Sequence, residues 1–208
     1  MPAWSASSFV HEALLDGKPI GQHHFTLTPE TDGMRLTGQA QFTVRILGVR
    51  VYDYDHRVEE RWLGSCLASL TSSTRENGSV TTVNGKQGQQ GFSIDGVSSS
   101  PSTSPCIPSL AYWNRDVLVR QKHLLNPQTG KIVDVRILPD KPLEVPFGEA
   151  TVKLERFRIL GDELDITVGY EITSGQWVTL DSRLSNGRLL QYRLKPGFVL
   201  SHRQGIPA

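Results

Sequence analysis

The chain has 208 residues, 38% hydrophobic and 21% charged, and its 22 basic and 21 acidic residues leave a net charge of +1. Such a composition is globular and long enough for one domain with a substantial core. It excludes a global field that would steer nucleic acid or an anionic membrane to the chain, and no run of ~18 apolar residues could span a bilayer as a helix. Neither a nucleic-acid partner nor a transmembrane segment is expected.

The N-terminal MPAWSASSF carries no basic n-region and no apolar h-region, so it holds no intact signal peptide. Its small residues, Ala3, Ser5, Ala6 and Ser7, resemble the surroundings of a signal-peptidase site. A mature exported terminus and an unstructured cytoplasmic one fit it equally well. In the exported case, the native signal peptide is missing from the given sequence.

Beyond this point period-two alternation dominates. Tyr52, Tyr54, His56, Val58, Glu60 and Trp62 share one strand face, and Asp53, Asp55, Arg57, Glu59 and Arg61 share the other. An aromatic stripe opposite a charged one suits a sheet with one buried and one wet face. Leu164, Ile166, Val168, Tyr170 and Ile172 alternate in the same way, as do Val133, Val135 and Ile137. Turn pairs punctuate these runs: Asp16-Gly17, Asp32-Gly33, Asn77-Gly78, Asn84-Gly85, Asp95-Gly96, Gly161-Asp162, Ser174-Gly175 and Asn186-Gly187.

Two regions interrupt the meander. Residues 97–108 are rich in Ser and Pro and read as a loop; residues 109–122 read as a helix, with Ser109 as N-cap and Leu110, Trp113, Val117 and Leu118 on one apolar face. A second loop is expected from Pro139 to Pro146, at a sheet edge. The pattern predicts an all-β, mainly antiparallel fold: a curved sheet or half-barrel of about ten to twelve strands around one short mid-chain helix. It forms a single domain over residues 8–196, with 1–7 and 197–208 as extended or flexible tails.

Cys66 and Cys106 stand 40 positions apart, which rules out a CxxC pair. They form either a disulfide, given an oxidising compartment, or two buried inert thiols. His23, His24 and His56 with Asp53 or Asp55 are the candidate metal ligands. Adjacent strand residues point to opposite faces, however, so the set does not converge. No nucleophile elbow and no phosphate-binding glycine loop occurs, and no cofactor is expected. Arg188 to Arg193 interleaves basic and aromatic residues over a single strand, a weak signal for nucleic acid. Glu60 lies on the aromatic face, where a charge needs a partner. His56, two positions along that face, is the candidate, as an ion pair or as an acid/base pair.

The segments Asp16-Gly17-Lys18-Pro19-Ile20-Gly21, Tyr52-Asp53-Tyr54 through Trp62, Pro105-Cys106, Ala111-Tyr112-Trp113-Asn114 and Leu124-Leu125-Asn126-Pro127-Gln128-Thr129-Gly130 resemble the bacterial domain-of-unknown-function family 6134. The resemblance runs from about residue 8 to residue 195. It is more distantly similar to domain-of-unknown-function family 3108 and to the periplasmic lipoprotein-carrier fold, in which a curved sheet wraps a helical plug and shelters a hydrophobic ligand. The resemblance implies a periplasmic or otherwise exported protein, and through the compartment it favours the disulfide.

The leading expectation is an exported protein that binds a hydrophobic or lipid-like molecule in a cavity beside the helix. Tyr52, Tyr54, Trp62, Tyr112, Trp113, Asn114 and Tyr170 would line that cavity. A helix that fills the concavity as core is compatible with this, because a plug can also be a gate. The alternatives are a cofactor-independent β-barrel enzyme (isomerase, cyclase or hydrolase) using His56 and Glu60, and a structural module that contacts another envelope protein.

Overall fold

The structure is a computed structural model that describes residues 6–95 and 106–197. Of the expected loop over 97–108, residues 97–105 lie outside the described residues, as do most of both expected tails.

The first half of the chain is a meander of β1 (Ser7–Leu15), β2 (Lys18–Glu30), β3 (Gly33–Ile46), β4 (Val49–Leu63), β5 (Cys66–Glu76), β6 (Ser79–Gly88) and β7 (Gly91–Ile94). The second half is another, β8 (His123–Leu125), β9 (Ile132–Phe147), β10 (Ala150–Gly161), β11 (Leu164–Glu171), β12 (Trp177–Arg183) and β13 (Leu189–Leu194). β13 pairs antiparallel with β1, so the two meanders fuse into one sheet of 13 strands, ordered β7-β6-β5-β4-β3-β2-β1-β13-β12-β11-β10-β9-β8. The end strands do not pair, so the sheet curls without closing. Six of the expected turn pairs sit at its hairpins, 16–17, 32–33, 77–78, 161–162, 174–175 and 186–187; Asn84-Gly85 instead lies inside β6, and Asp95-Gly96 runs into the undescribed residues after β7.

The alternation in β4 is borne out: Tyr54, His56, Val58, Glu60 and Trp62 are buried, and the intervening residues face outward. On the outer face the charges form a cross-strand ladder. Arg61 reaches Glu30 at 2.9 Å and Asp32 at 2.6 Å, and Arg75 reaches Asp53 at 2.9 Å. Each such exposed pair contributes at most about 1 kcal/mol.

The insert that follows β7 and runs through β8 to the start of β9 departs from expectation. Its helix α1 spans only Arg115–Leu118, capped by Asn114, whose side chain accepts from the Val117 amide at 3.2 Å. Ser109 caps nothing and instead bridges to Leu125. The physical reason is long-range pairing: the Leu110 amide donates to Leu125, and the Leu125 amide to Pro108, which holds 108–110 extended. The expected loop from Pro139 to Pro146 is also corrected, being the second half of β9. β8 covers only Ile132 to Asp134, so beyond them β9 is an edge, where proline's missing N–H costs no ladder bond.

The insert fills the concavity. Ile107, Leu118, Leu124 and Leu125 are all at most 1% exposed. It is fixed to the sheet at both ends. Cys66 and Cys106 form a disulfide, with the Leu67 amide donating to Ile107 beside it. The Ser72 hydroxyl donates to the Pro127 carbonyl. Gly130, at φ +71, lies against Val83 and Ile94, where an added Cβ would meet Val83 at 3.2 Å. Side-chain packing thus closes the seam that strand pairing leaves open.

Removing the disulfide by reduction, or by the double variant Cys66→Ser, Cys106→Ser, is expected to lower stability by roughly 3–4 kcal/mol in the chain-entropy model. Urea unfolding with and without reductant measures it, and an unchanged midpoint would show that the crosslink carries no stability.

Candidate functional site

Strand register sets out the concave face in rows. One row reads Leu194 (β13), His11 (β1), His23 (β2), Ala40 (β3), His56 (β4) and Thr74 (β5). The next row, toward the β3–β4 turn, reads Tyr192, Ala13, Gly21, Phe42, Tyr54 and Glu76 on the same strands. Three imidazoles therefore stand in line beside a row of aromatic rings. Between Tyr192 and Phe42 stand only Ala13 and Gly21, so that stretch of wall is low. Gly21 is obligatory there, since a Cβ would lie 1.9 Å from the Gln41 carbonyl oxygen.

The rings pack over this stretch, Phe42 and Tyr192 meeting at 6.0 Å between centroids across Ala13 and Gly21. His23 stacks on Phe25 at 3.9 Å and meets Tyr192 at 5.6 Å and His56 at 6.5 Å between centroids. His11 lies 3.9 Å from Trp177, and Phe42 stacks on Tyr54 at 5.2 Å. Tyr112, from the insert, faces Trp177 at 5.3 Å, and its carbonyl accepts from the Tyr170 hydroxyl at 2.8 Å.

The electrostatics follow from burial. His11 is held down to about pKa 3 by desolvation; the Trp177 backbone opposes the shift without meeting hydrogen-bond geometry. His56 is held at about 4 by burial, with Asp55 opposing, and its Nδ1 pairs with the Thr74 hydroxyl at 2.8 Å. Burial, then the neighbouring His56, His11 and His24, lowers His23 well below the ordinary range. All three are neutral at neutral pH. Both ring nitrogens of His23, like those of His11, are shielded from solvent and lack a hydrogen-bond partner. Leaving such a group bare costs about 1–3 kcal/mol.

The opposite end of β4 holds a different cluster. Glu60 is 1% exposed and accepts from the Trp62 indole at 2.9 Å. Burial raises its pKa to about 7, moderated by Ser109 and Trp62. Trp113 packs edge-on to Trp62 at 5.7 Å, and its indole nitrogen has no partner among the described residues.

The expected lining residues thus fall into two groups. Tyr52, Tyr54, Tyr112 and Tyr170 serve the end with the histidine row. Trp62 and Trp113 belong to the Glu60 end, and Asn114 is spent on capping α1. His56 and Glu60 both face the concavity, but each is engaged elsewhere and four strand positions, about 13 Å, separate them. The two do not form the expected pair. Among the described residues no three His, Cys, Asp or Glu side chains converge as metal ligands, and His24 points outward. His11, Phe42 and Tyr192 were missed; the run Phe9, His11, Ala13, Leu15 alternates clearly enough to have placed His11 inward. A cavity of about 600 Å³ lies not beside Trp113 but on the outer face of β2–β6, lined by polar groups such as Thr26, Thr37, Arg57, Glu59, Thr71 and Asn84.

These shifts set the pH dependence of stability. Glu60 titrates near 4.5 when unfolded and near 7 when folded, so the folded state binds more protons between those values and stability falls as pH rises through them. His11 and His56, depressed from 6.5 to about 3 and about 4, act oppositely: their contribution is full above 6.5 and is lost as pH falls toward those values. Glu60→Gln is expected to raise Tm at about pH 8 relative to the parent and to leave the acid limb unchanged. Melting curves across this range test it; an equal Tm difference at every pH would mean that Glu60 does not titrate in the window.

The sequence profile of a family described as Domain of unknown function (DUF6134) matches residues 11–195. A crystal structure of a beta-barrel-like protein of Domain of Unknown Function DUF1849 from Brucella abortus shares the fold, with a TM-score of 0.65 at 11% identity over 92% of this chain and 96% of that one. Comparison with curated proteins finds no match. Because the profile runs from β1 to the end of β13, taking in the insert and both meanders, the chain belongs to the DUF6134 family.

Proposed function

We propose that this protein is an exported binder of a hydrophobic molecule that carries one hydrogen-bonding group, held in the concavity at the histidine row. The observation that carries the reading is His23, whose ring nitrogens are buried and unsatisfied among Phe25, Tyr192 and His56. An apolar wall with a few convergent polar groups is the usual make-up of a small-molecule site. A fatty acid, fatty alcohol or similar amphiphile supplies the missing partner at its head and apolar area along its tail. The segment Leu110–Asn114 is the movable cover, and Tyr112 has to shift to admit a tail.

Placement in the periplasm, or another oxidising compartment, is part of this proposal. The disulfide supports it, because such bonds persist chiefly outside the reducing cytoplasm. A link to lipoprotein carriers would follow the same physical logic of a sheltered acyl chain, and it rests on the fold analogy alone.

Titration with a fluorescent fatty alcohol and with a matched hydrocarbon probe tests the reading. The parent is expected to prefer the alcohol by roughly tenfold, about the value of one hydrogen bond to a buried group. His23→Leu keeps the apolar volume and is expected to erase the preference. If neither probe binds, or if the preference survives in His23→Leu, the proposal fails.

A further inference from the structure

Leu47, at the tip of the β3–β4 hairpin, is 99% exposed, and Val49 and Val51 beside it are 65% and 49% exposed. These are three of the most exposed large apolar side chains in the described residues. The turn they occupy makes Leu47 stand out further. Three hairpins share one geometry, with two successive residues at positive φ: Asp16-Gly17 at 50° and 77°, Asn77-Gly78 at 48° and 90°, and Leu47-Gly48 at 49° and 82°. Asp and Asn suit the left-handed region, whereas a leucine there is strained and gains nothing from burial. The strain has no return within the fold, so it points to something outside it.

Two arginines bracket the tip. Arg45 is exposed, its guanidinium reaches only the Gly48 carbonyl at 3.4 Å, and no carboxylate pairs with it among the described residues. Arg50 lies 3.4 Å from Asp53, a carboxylate already held by Arg75 at 2.9 Å. Tyr52, half-buried, follows on the same strand. Leu47 and Val49 at the apex, the arginine pair Arg45 and Arg50 one step back, and Val51 with the amphipathic Tyr52 behind them match the depth profile of an anionic bilayer surface, since arginine side chains reach along the strand to the headgroups. The tip is convex and offers three apolar side chains, far less than the ~800 Å² per partner of a stable protein interface. A bilayer needs no complementary shape.

We infer that the β3–β4 hairpin is a membrane-docking element, in which Leu47, Val49 and Val51 enter the headgroup–acyl boundary of anionic lipid and Arg45 and Arg50 pair with the headgroups. With a net charge of +1 there is no long-range steering, so binding depends on this local arrangement. Because Tyr52 and Tyr54 continue from the tip into the concave face, docking brings that end of the concavity to the bilayer. The inference does not require the concavity to hold a ligand.

Co-sedimentation with vesicles of phosphatidylcholine alone, and of phosphatidylcholine mixed with phosphatidylglycerol, tests it. Binding is expected to be roughly tenfold tighter to the mixed vesicles. Leu47→Asp is expected to weaken it by roughly tenfold or more, and the double variant Arg45→Gln, Arg50→Gln to remove only the preference for anionic lipid. Leu47→Asn separates docking from folding: it suits the positive φ, so Tm holds or rises while vesicle binding drops. His23→Leu should bind vesicles like the parent, which keeps this test apart from that of the ligand site. The inference is overturned if the parent sediments with neither vesicle, or if Leu47→Asp binds as the parent does. It is overturned equally if the parent ignores vesicles but self-associates through Leu47, which would make the tip a protein contact.

Discussion

A curled antiparallel sheet whose first and last strands do not pair leaves two problems at once, an uncovered apolar face and two edges rich in unsatisfied backbone groups. Here one insert deals with both. Its apolar residues Ile107, Leu118, Leu124 and Leu125 fill the concavity, and its backbone adds bonds to Leu67 and forms the extended pairing of 108–110 with Leu125. The disulfide at Cys66 and the Ser72 contact with Pro127 then tie it to the same strand, β5, at two separate points. The rest of the architecture depends on this insert, because without it the β6–β7 end would face the β8–β9 end across an open apolar trough.

Such a closure has an electrostatic consequence. Whatever the insert covers is removed from water, and that includes three histidines and one glutamate. Neutrality is the cheapest state for each, so imidazole pKa values go down and the carboxyl goes up. The two ends of the concavity then differ in kind. Glu60 has the Trp62 indole as a donor, whereas His23 and His11 have walls of aromatic carbon and nothing to bond. Unsatisfied buried nitrogens are unusual in folded proteins, and they set the histidine end apart from the Glu60 end.

Strand content and facing were legible from sequence because a half-buried strand writes its burial directly as alternation; β4 shows this without exception from Asp53 to Trp62. The wet-face charge ladder was legible for the same reason. The insert was misread because Leu110, Trp113, Val117 and Leu118 carry a helical period, yet partners far along the chain, Leu125 and Tyr170, claim the backbone before α1 begins. The prolines of β9 misled in a similar way, since proline argues against a strand only where both neighbours are present. The site was half legible. Tyr52, Tyr54 and Tyr170 were named from their strand stripes and Tyr112 from its place beside Trp113, but the alignment of His11, His23 and His56 in one row exists only across β1, β2 and β4, and no local pattern records register between strands.

The two unusual features of the molecule share the β3–β4 hairpin, one at its tip and the other at the middle of β4. The hairpin tip places Leu47 in solvent at a strained φ, and the next inward-facing residues of the same strand, Tyr52 and Tyr54, lead within two strand positions to His56. A buried polar site with unmet hydrogen bonds and an exposed apolar apex with unmet burial are each costly alone. Their costs have a common resolution if the substance that covers the apex is also the source of what enters the interior. An amphiphile drawn from a bilayer satisfies both requirements, its chain matching the aromatic wall and its polar end matching His23. A water-borne polar ligand would satisfy the second and leave Leu47 without a reason. The cavity on the outer face of β2–β6 lies on the other side of the sheet from the histidines.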